Sequence, residues 1–309
     1  MKPPLIVIVG PTAVGKTSAS IALAKRLNAE IVSADSRLLY RGMDIGTAKP
    51  TMDERDGIPH YLMDVADPDE NWSLAVYQRE AYAAIDEILS REKLPILVGG
   101  TGQYVRSIIE GWHIPPQKPD PALREALNQW AEEIGPAAFH ERLRGLDAEA
   151  ADKIDYRNTR RVVRALEVIL KTGERFSDLR RKQACRYRPI ILGIEMDREK
   201  LYDRVDRRVD LMLDAGLVSE VQGLLADGFP PDLPTMSAIG YAEIVEYLQG
   251  RTSLEEAVAV IKRNTRIFVR RQANWFKPSD DRITWYSAGN SLVDQMEAEI
   301  RRQLDGKKK

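Results

Sequence analysis

Cysteine is almost absent: Cys185 is the only one in 309 residues. That excludes an internal disulfide, a cysteine-rich zinc site and the disulfide-stapled secreted class. No apolar run approaches the ~18 residues a membrane span needs, and no apolar segment with a small-residue cleavage site opens the chain. The expectation is a cytoplasmic protein with no membrane contact and no obligate protein partner. Net charge is missing too, with 46 basic residues against 47 acidic. The whole-chain balance therefore carries no signature of nucleic-acid binding, although its distribution does. There is no repeat or low-complexity tract, and Lys307-Lys308-Lys309 reads as a solvated tail. The length allows a large core and suggests two domains or subdomains.

What the chain does have is Gly10-Pro11-Thr12-Ala13-Val14-Gly15-Lys16-Thr17, which fits G-x-x-x-x-G-K-[ST] at every fixed position. Two glycines let backbone N–H groups turn inward around phosphate oxygens, Lys16 reaches a terminal phosphate, and the Thr17 hydroxyl suits Mg²⁺. A chain of this length matches by chance roughly once in a hundred, so context matters. Residues 5–9 read as a buried strand entering the loop. Residues 17–27, apolar at Ile21, Ala24 and Leu27, read as the helix leaving it. The alternative is a glycine turn that binds nothing.

The first third alternates buried strands with amphipathic helices, the pattern of a parallel α/β sheet of the P-loop NTPase-like kind. A strand at 30–33 delivers Asp35 and Ser36 to the carboxyl edge of the sheet, where ligands bind in open α/β folds. Asp35 is either a reactive carboxylate or a turn and capping residue. Residues 40–50 read as a loop over the site, 60–65 as a short strand, and Ser73 as the cap of a helix reaching about residue 91. A strand at 94–98 ends in Gly99-Gly100-Thr101-Gly102. This second glycine turn either presents amides and a hydroxyl to a ligand or lets strand and helix pack closely. A kinase or ATPase also needs an acid at the end of an apolar strand to hold the Mg²⁺ water shell, and Asp64 is the available candidate.

From 114 to 188 the chain reads as a mostly helical insertion, opened by Pro115, Pro116, Pro119 and Pro121. Leu123, Leu127, Trp130 and Ile134 form one apolar stripe, and Val162, Val163, Leu166, Ile169 and Leu170 another. Between 157 and 188 there are eleven Lys/Arg against Glu167, Glu174 and Asp178. Arg160, Arg161 and Arg164 share one turn, so the segment is either a phosphate-gripping surface or a solvated basic helix. A strand at 189–194 returns the chain to the sheet, which makes 1–113 and 189–309 the core. Asp197 opens a helix in which Arg204 and Arg208 lie one turn apart, suited to a diphosphate or to pairing with Asp203 and Asp206. Ala238-Ile239-Gly240-Tyr241 is a turn before another helix. A long helix at 253–276 has six basic residues and no acid between 262 and 277, with Phe268, Trp275 and Phe276 interleaved. Residues 283–287 read as a last strand and 292–304 as a closing helix.

Residues 35–50, the P-loop, the stretch from Val98 to Tyr104, and the stretch from Asn158 to Glu167 together resemble the tRNA dimethylallyltransferase family. Residues 204–213, Ile239-Gly240-Tyr241 and residues 270–276 extend the likeness over nearly the whole chain. The resemblance implies transfer of a dimethylallyl group from dimethylallyl diphosphate to the N6 amine of the adenosine beside the anticodon. Residues Gly10 to Thr17 would cradle the diphosphate with Mg²⁺ on Thr17, and Lys16 and Arg208 would stabilise its growing charge. Asp35 would take the N6 proton. The adenosine would be flipped out toward Asp35 and Thr101. The tRNA anticodon stem-loop would be met by Ser36, Arg37, Leu38, Arg124, Thr159, Arg160, Arg161, Val162, Val163, Ile239, Gly240, Tyr241, Arg271 and Gln272. Many members have Gln where this chain has Leu38, so a side-chain amide contact does not carry over there, while a backbone contact can. An adenylate prenyltransferase is disfavoured by the basic insertion, and a P-loop kinase by the lack of a clear Mg²⁺-holding acid on an apolar strand.

Overall fold

A computed structural model describes residues 2–114, 120–178 and 184–306. The chain divides into two compact units, one of Met1–Ile109 with Arg186–Lys309 and one of Glu110–Cys185. These limits lie a few residues from the 114 and 188 suggested by composition. Pro115, Pro116 and Pro119 fall outside the described residues, as do Lys307 to Lys309 and Arg180, Arg181 and Lys182 of the basic count.

The larger unit is built on six strands: β1 Pro4–Val9, β2 Ala29–Ser33, β3 His60–Tyr61, β4 Leu94–Val98, β5 Arg188–Glu195 and β6 Ile283–Ser287. Every neighbouring pair is parallel, in the order β3-β2-β4-β1-β5-β6. Parallel sheets are covered on both faces, which is why residues 5–9 of β1 are uninterrupted Leu, Ile and Val with no exposed surface. On one face the helices Lys16–Leu27 and Leu292–Asp305 pack through Ala19, Leu23, Met296 and Ile300. The helix Leu74–Ser90, capped by Ser73 through the Val76 amide, brings Tyr77, Ala81, Ile85 and Ile88 into the core. Tyr77 stacks on Tyr104 at 3.6 Å and donates from its hydroxyl to Ser33 O, tying the helix to the end of β2.

The strand expected over 60–65 is cut to two residues. Leu62 and Asp64 both have positive φ (60° and 54°), a region closed to extended chain.

Among its described residues the smaller unit's regular elements are all helices. Helices Pro121–Ile134, Pro136–Leu146, Ala148–Lys153 and Thr159–Thr172 enclose Leu127, Phe139, Leu143, Val162 and Leu166. Pro121 starts its helix rather than breaking one. It occupies the first turn, where a missing N–H costs nothing, and Asp120 caps it through the Leu123 amide.

Candidate active site

The P-loop turns through three positive-φ positions, two of them glycines that adopt this region freely, while Ala13 adopts it despite its Cβ. Gly10 (149°), Ala13 (66°) and Gly15 (104°) all adopt it. A Cβ on Gly10 would lie 2.4 Å from Ile194 O of β5, so nothing larger fits there. Gly15 leads into the helix Lys16–Leu27, and Thr17 is exposed on that helix's first turn. Lys16 Nζ donates to Pro11 O at 2.7 Å. Burial pulls the ammonium down to about 8; Asp35 opposes that fall and Arg208 adds to it. Arg208 is likewise held below its ordinary value by burial, again opposed by Asp35.

Asp35 takes the turn role, one of the two that the sequence left open. Its Oδ1 accepts the Arg37 amide at 2.9 Å, closing an Asx turn, and its charge acts on both Lys16 and Arg208. Ser36 N donates to Thr101 Oγ1 at 3.0 Å, which joins the ends of β2 and β4.

In the second glycine turn the glycines serve close packing. A Cβ would lie 2.2 Å from Ala34 O at Gly99, 2.1 Å from Gln272 Nε2 at Gly100 and 2.1 Å from the Trp275 ring at Gly102. Gln272, expected to meet RNA, is turned inward and buried. It accepts from Thr12 N at 2.6 Å and donates to Gly100 O at 3.1 Å, clamping the two glycine turns together.

Two cavities meet here. One, of about 740 Å³, is lined by Gly15, Lys16, Thr17, Ser18, Arg204, Arg207 and Arg208. Its cations and helix N-terminal amides are the chemistry that suits a polyphosphate, so it is called the phosphate cavity below. The other, of about 490 Å³, is lined by Val205, Val209, Met212, Ile261, Phe268 and Trp275, with Ser36, Arg37, Thr101 and Arg271 as polar members. Thr12, Asp35, Thr47 and Arg208 belong to both walls. Asp206 is held by Arg266, so Arg204 and Arg208 face the phosphate cavity instead of pairing within their own helix, Arg198–Asp214. Arg208 Nη2 donates to Thr47 O at 3.3 Å.

Asp64 lines neither cavity. It is paired with the buried Lys49 and with Arg55, and Lys49 also holds Asp44 and Tyr40 O. These bonds fix the loop at 40–50.

Burial takes three of the expected RNA contacts out of side-chain reach. Val162 and Val163 are core residues of the helical unit, and Tyr241 has no exposed surface. Arg124 and Arg164, each partly exposed, both pair with the buried carboxylate of Glu167. Thr159, Arg160 and Arg161 lie on the first turn of Thr159–Thr172, which Asn158 caps through the Arg161 amide, and Arg160 is exposed. Ile239 and Gly240 line the 490 Å³ cavity. Leu38 lines the phosphate cavity, and its carbonyl is taken by Asp64 N at 3.2 Å. Sequence reasoning missed Lys49 and Glu220, which hold the loop at 40–50 in place. Glu220 has no local signal, because its loop partners lie 174 to 176 residues away; Lys49 holds nearby groups, but nothing in the sequence pattern marks it as buried.

Parallel sheet, glycine cradle and helix N-terminus define a P-loop α/β protein, here with an aspartate and an arginine shared between a phosphate cavity and an apolar one. The family is fixed by comparison. The IPP transferase family model matches residues 38–279, and the chain belongs to that family. A tRNA dimethylallyltransferase of Thermomicrobium roseum is 47% identical over 307 residues, spanning 98% of this chain and 93% of the relative. The solved tRNA isopentenylpyrophosphate transferase of Bacillus halodurans shares 42% identity with a TM-score of 0.72, covering 99% of this chain and 96% of that one. A eukaryotic dimethylallyltransferase acting on tRNA superposes with a TM-score of 0.81 at 28% identity, covering 98% and 77%. No helix among the described residues is long and apolar enough to cross a membrane.

Proposed function

We propose that this chain transfers the dimethylallyl group of dimethylallyl diphosphate to the N6 amine of the adenosine beside the anticodon in tRNA, releasing diphosphate. The observation that carries the proposal is the shared wall. Asp35 and Arg208 face both a cavity furnished for a diphosphate and one furnished for an apolar group and a base.

Diphosphate oxygens replace Pro11 O as the partner of Lys16 and take the loop amides, while Arg208 meets the charge that grows as the C1–O bond breaks. The amine nitrogen forms its bond to C1 and passes a proton to the Asp35 carboxylate. Val205, Val209, Met212 and Phe268 exclude water from the carbon chain. A flipped adenine reaches Asp35 past Thr101 and Trp275. Arg160, Arg161 and Arg271 contact RNA phosphates.

Among the described residues no cluster of three or more acidic, His or Cys side chains could cage a metal. The donor set nevertheless suits Mg²⁺, which binds through few protein ligands plus substrate phosphates. The exposed Thr17 hydroxyl on the cavity wall and the diphosphate oxygens would hold it. When bound, it would neutralise part of the leaving-group charge.

The deciding experiment incubates the protein with labelled dimethylallyl diphosphate, Mg²⁺ and unmodified tRNA, with parallel arms lacking Mg²⁺, replacing tRNA by AMP, or supplying ATP in place of the prenyl donor. Label in tRNA at the adenosine beside the anticodon, dependent on Mg²⁺, is the expected result. Label in AMP alone, or phosphate transfer from ATP, would replace this function with one of the two alternatives.

A further inference from the structure

Three consecutive amides of the loop at 40–50 are taken by one side chain from a distant helix. Glu220, in the helix Leu217–Ala226, accepts Asp44 N and Ile45 N through Oε2 at 2.9 and 2.6 Å, and Gly46 N through Oε1 at 3.1 Å. Oε1 also accepts the Tyr241 hydroxyl at 2.6 Å. Four donors on one carboxylate make charge-assisted bonds, each roughly twice as strong as a neutral one. The Tyr241 ring closes the arrangement, since a Cβ on Gly46 would lie 2.5 Å from its Cε2.

The next residue is Thr47. Its hydroxyl is fixed on Met43 O at 2.6 Å, and its carbonyl receives the Arg208 guanidinium. Thr47 and Arg208 stand in the wall between the two cavities, whereas Glu220 lines neither. A guanidinium on a long side chain stabilises a developing charge only when held in place beforehand. We propose that Glu220 is a positioning residue for the leaving group: it holds residues 44–46 so that Thr47 O orients Arg208 toward the diphosphate. The inference rests on assigning the diphosphate to the 740 Å³ cavity.

Titration with inorganic diphosphate tests it independently of transfer. Glu220→Gln places an NH₂ donor against backbone donors and should weaken diphosphate binding about tenfold, with the melting temperature within a few degrees of wild type. In an Arg208→Ala background the same change should alter affinity less than twofold, because the influence runs through Arg208. Gly46→Ala, which pushes the loop off Glu220 by a separate route, should show the same tenfold loss and the same dependence on Arg208. Tyr241→Phe leaves the three amide bonds and should stay within twofold. Equal losses with and without Arg208, or a tenfold loss in Tyr241→Phe, would overturn the proposal. A wild-type protein that binds diphosphate but does not prenylate tRNA would remove the functional assignment while the Glu220 comparison still reads out.

Discussion

Replacing Asp35 by Asn separates the two things its carboxylate does. An asparagine carbonyl can accept the Arg37 amide as Asp35 Oδ1 does at 2.9 Å, so the Asx turn survives. The charge and the basicity do not. Asp35→Ala removes the turn as well, at about 1 kcal/mol for one hydrogen bond at a partly exposed site, which in a chain of this size moves the melting temperature by a few degrees at most. A positioned general base contributes about 10²–10⁴ in rate. Both variants should therefore lose at least about a hundredfold in single-turnover transfer with donor and tRNA saturating, while Asn melts with wild type. There is an electrostatic consequence as well. Asp35 raises the Lys16 pKa against the effect of burial, so either variant should release the Lys16 proton below pH 8. Rapid-quench kinetics beside a melting curve measures both effects. A near wild-type rate in Asp35→Asn would end the general-base assignment and leave Asp35 as a turn residue.

Lys16, lowered from 10.5 to about 8, should make donor binding proton-linked. At pH 9 the empty site has mostly lost the proton that a bound diphosphate restores, so calorimetry in buffers of different ionisation enthalpy should show uptake approaching one proton. At pH 6.5 it should show almost none, and Lys16→Met should abolish the effect; no uptake at pH 9 would contradict the burial argument. The unfolded chain keeps that proton up to about 10.5, so Lys16's own contribution to the stability of the unliganded protein should rise between about pH 8 and 10.5, read as the difference from Lys16→Met. Gly99→Ala forces a Cβ to 2.2 Å from the Ala34 carbonyl oxygen, a backbone atom that cannot swing away, and should lose at least about 1–3 kcal/mol in urea denaturation. Gly223→Ala, in a helix with nothing within 4 Å, should gain up to about 1 kcal/mol. Arg160→Ala with Arg161→Ala should flatten the salt dependence of tRNA binding by up to about two units of log–log slope. Arg124→Ala should instead lower stability, because it strips a partner from the buried Glu167.

The central sheet was legible because its signals are local. Residues 5–9 are an unbroken apolar run, and the glycines after them can adopt what the turn requires. Strand β3 was overcalled because the left-handed turns at Leu62 and Asp64 accompany a pairing of Asp64 with Lys49 that no window of sequence reveals. The Glu220 bonds span 174 to 176 residues and were invisible for the same reason. Arg271 and Gln272 are neighbours assigned one role in the sequence. Successive residues of a helix point about 100° apart, however, and Gln272 is buried in the cavity wall with its amide bonded to both glycine turns while Arg271 stays exposed. Counting charges likewise located the basic helix but could not say that Arg164 was already engaged by Glu167.

The wall common to the two cavities has a stereochemical consequence. With the diphosphate on one side and the amine arriving from the other, C1 lies between nucleophile and leaving group. The new C–N bond then forms opposite the breaking C–O bond, and the two hydrogens and the neighbouring carbon on C1 pass together through one plane as the centre inverts. A donor bearing one deuterium on C1, made in a single handedness, should yield a modified adenosine of inverted configuration at that carbon. A free allylic cation able to turn over in an open pocket would scramble it, so the handedness of the product records how tightly Thr12, Asp35, Thr47 and Arg208 hold the carbon between its two partners.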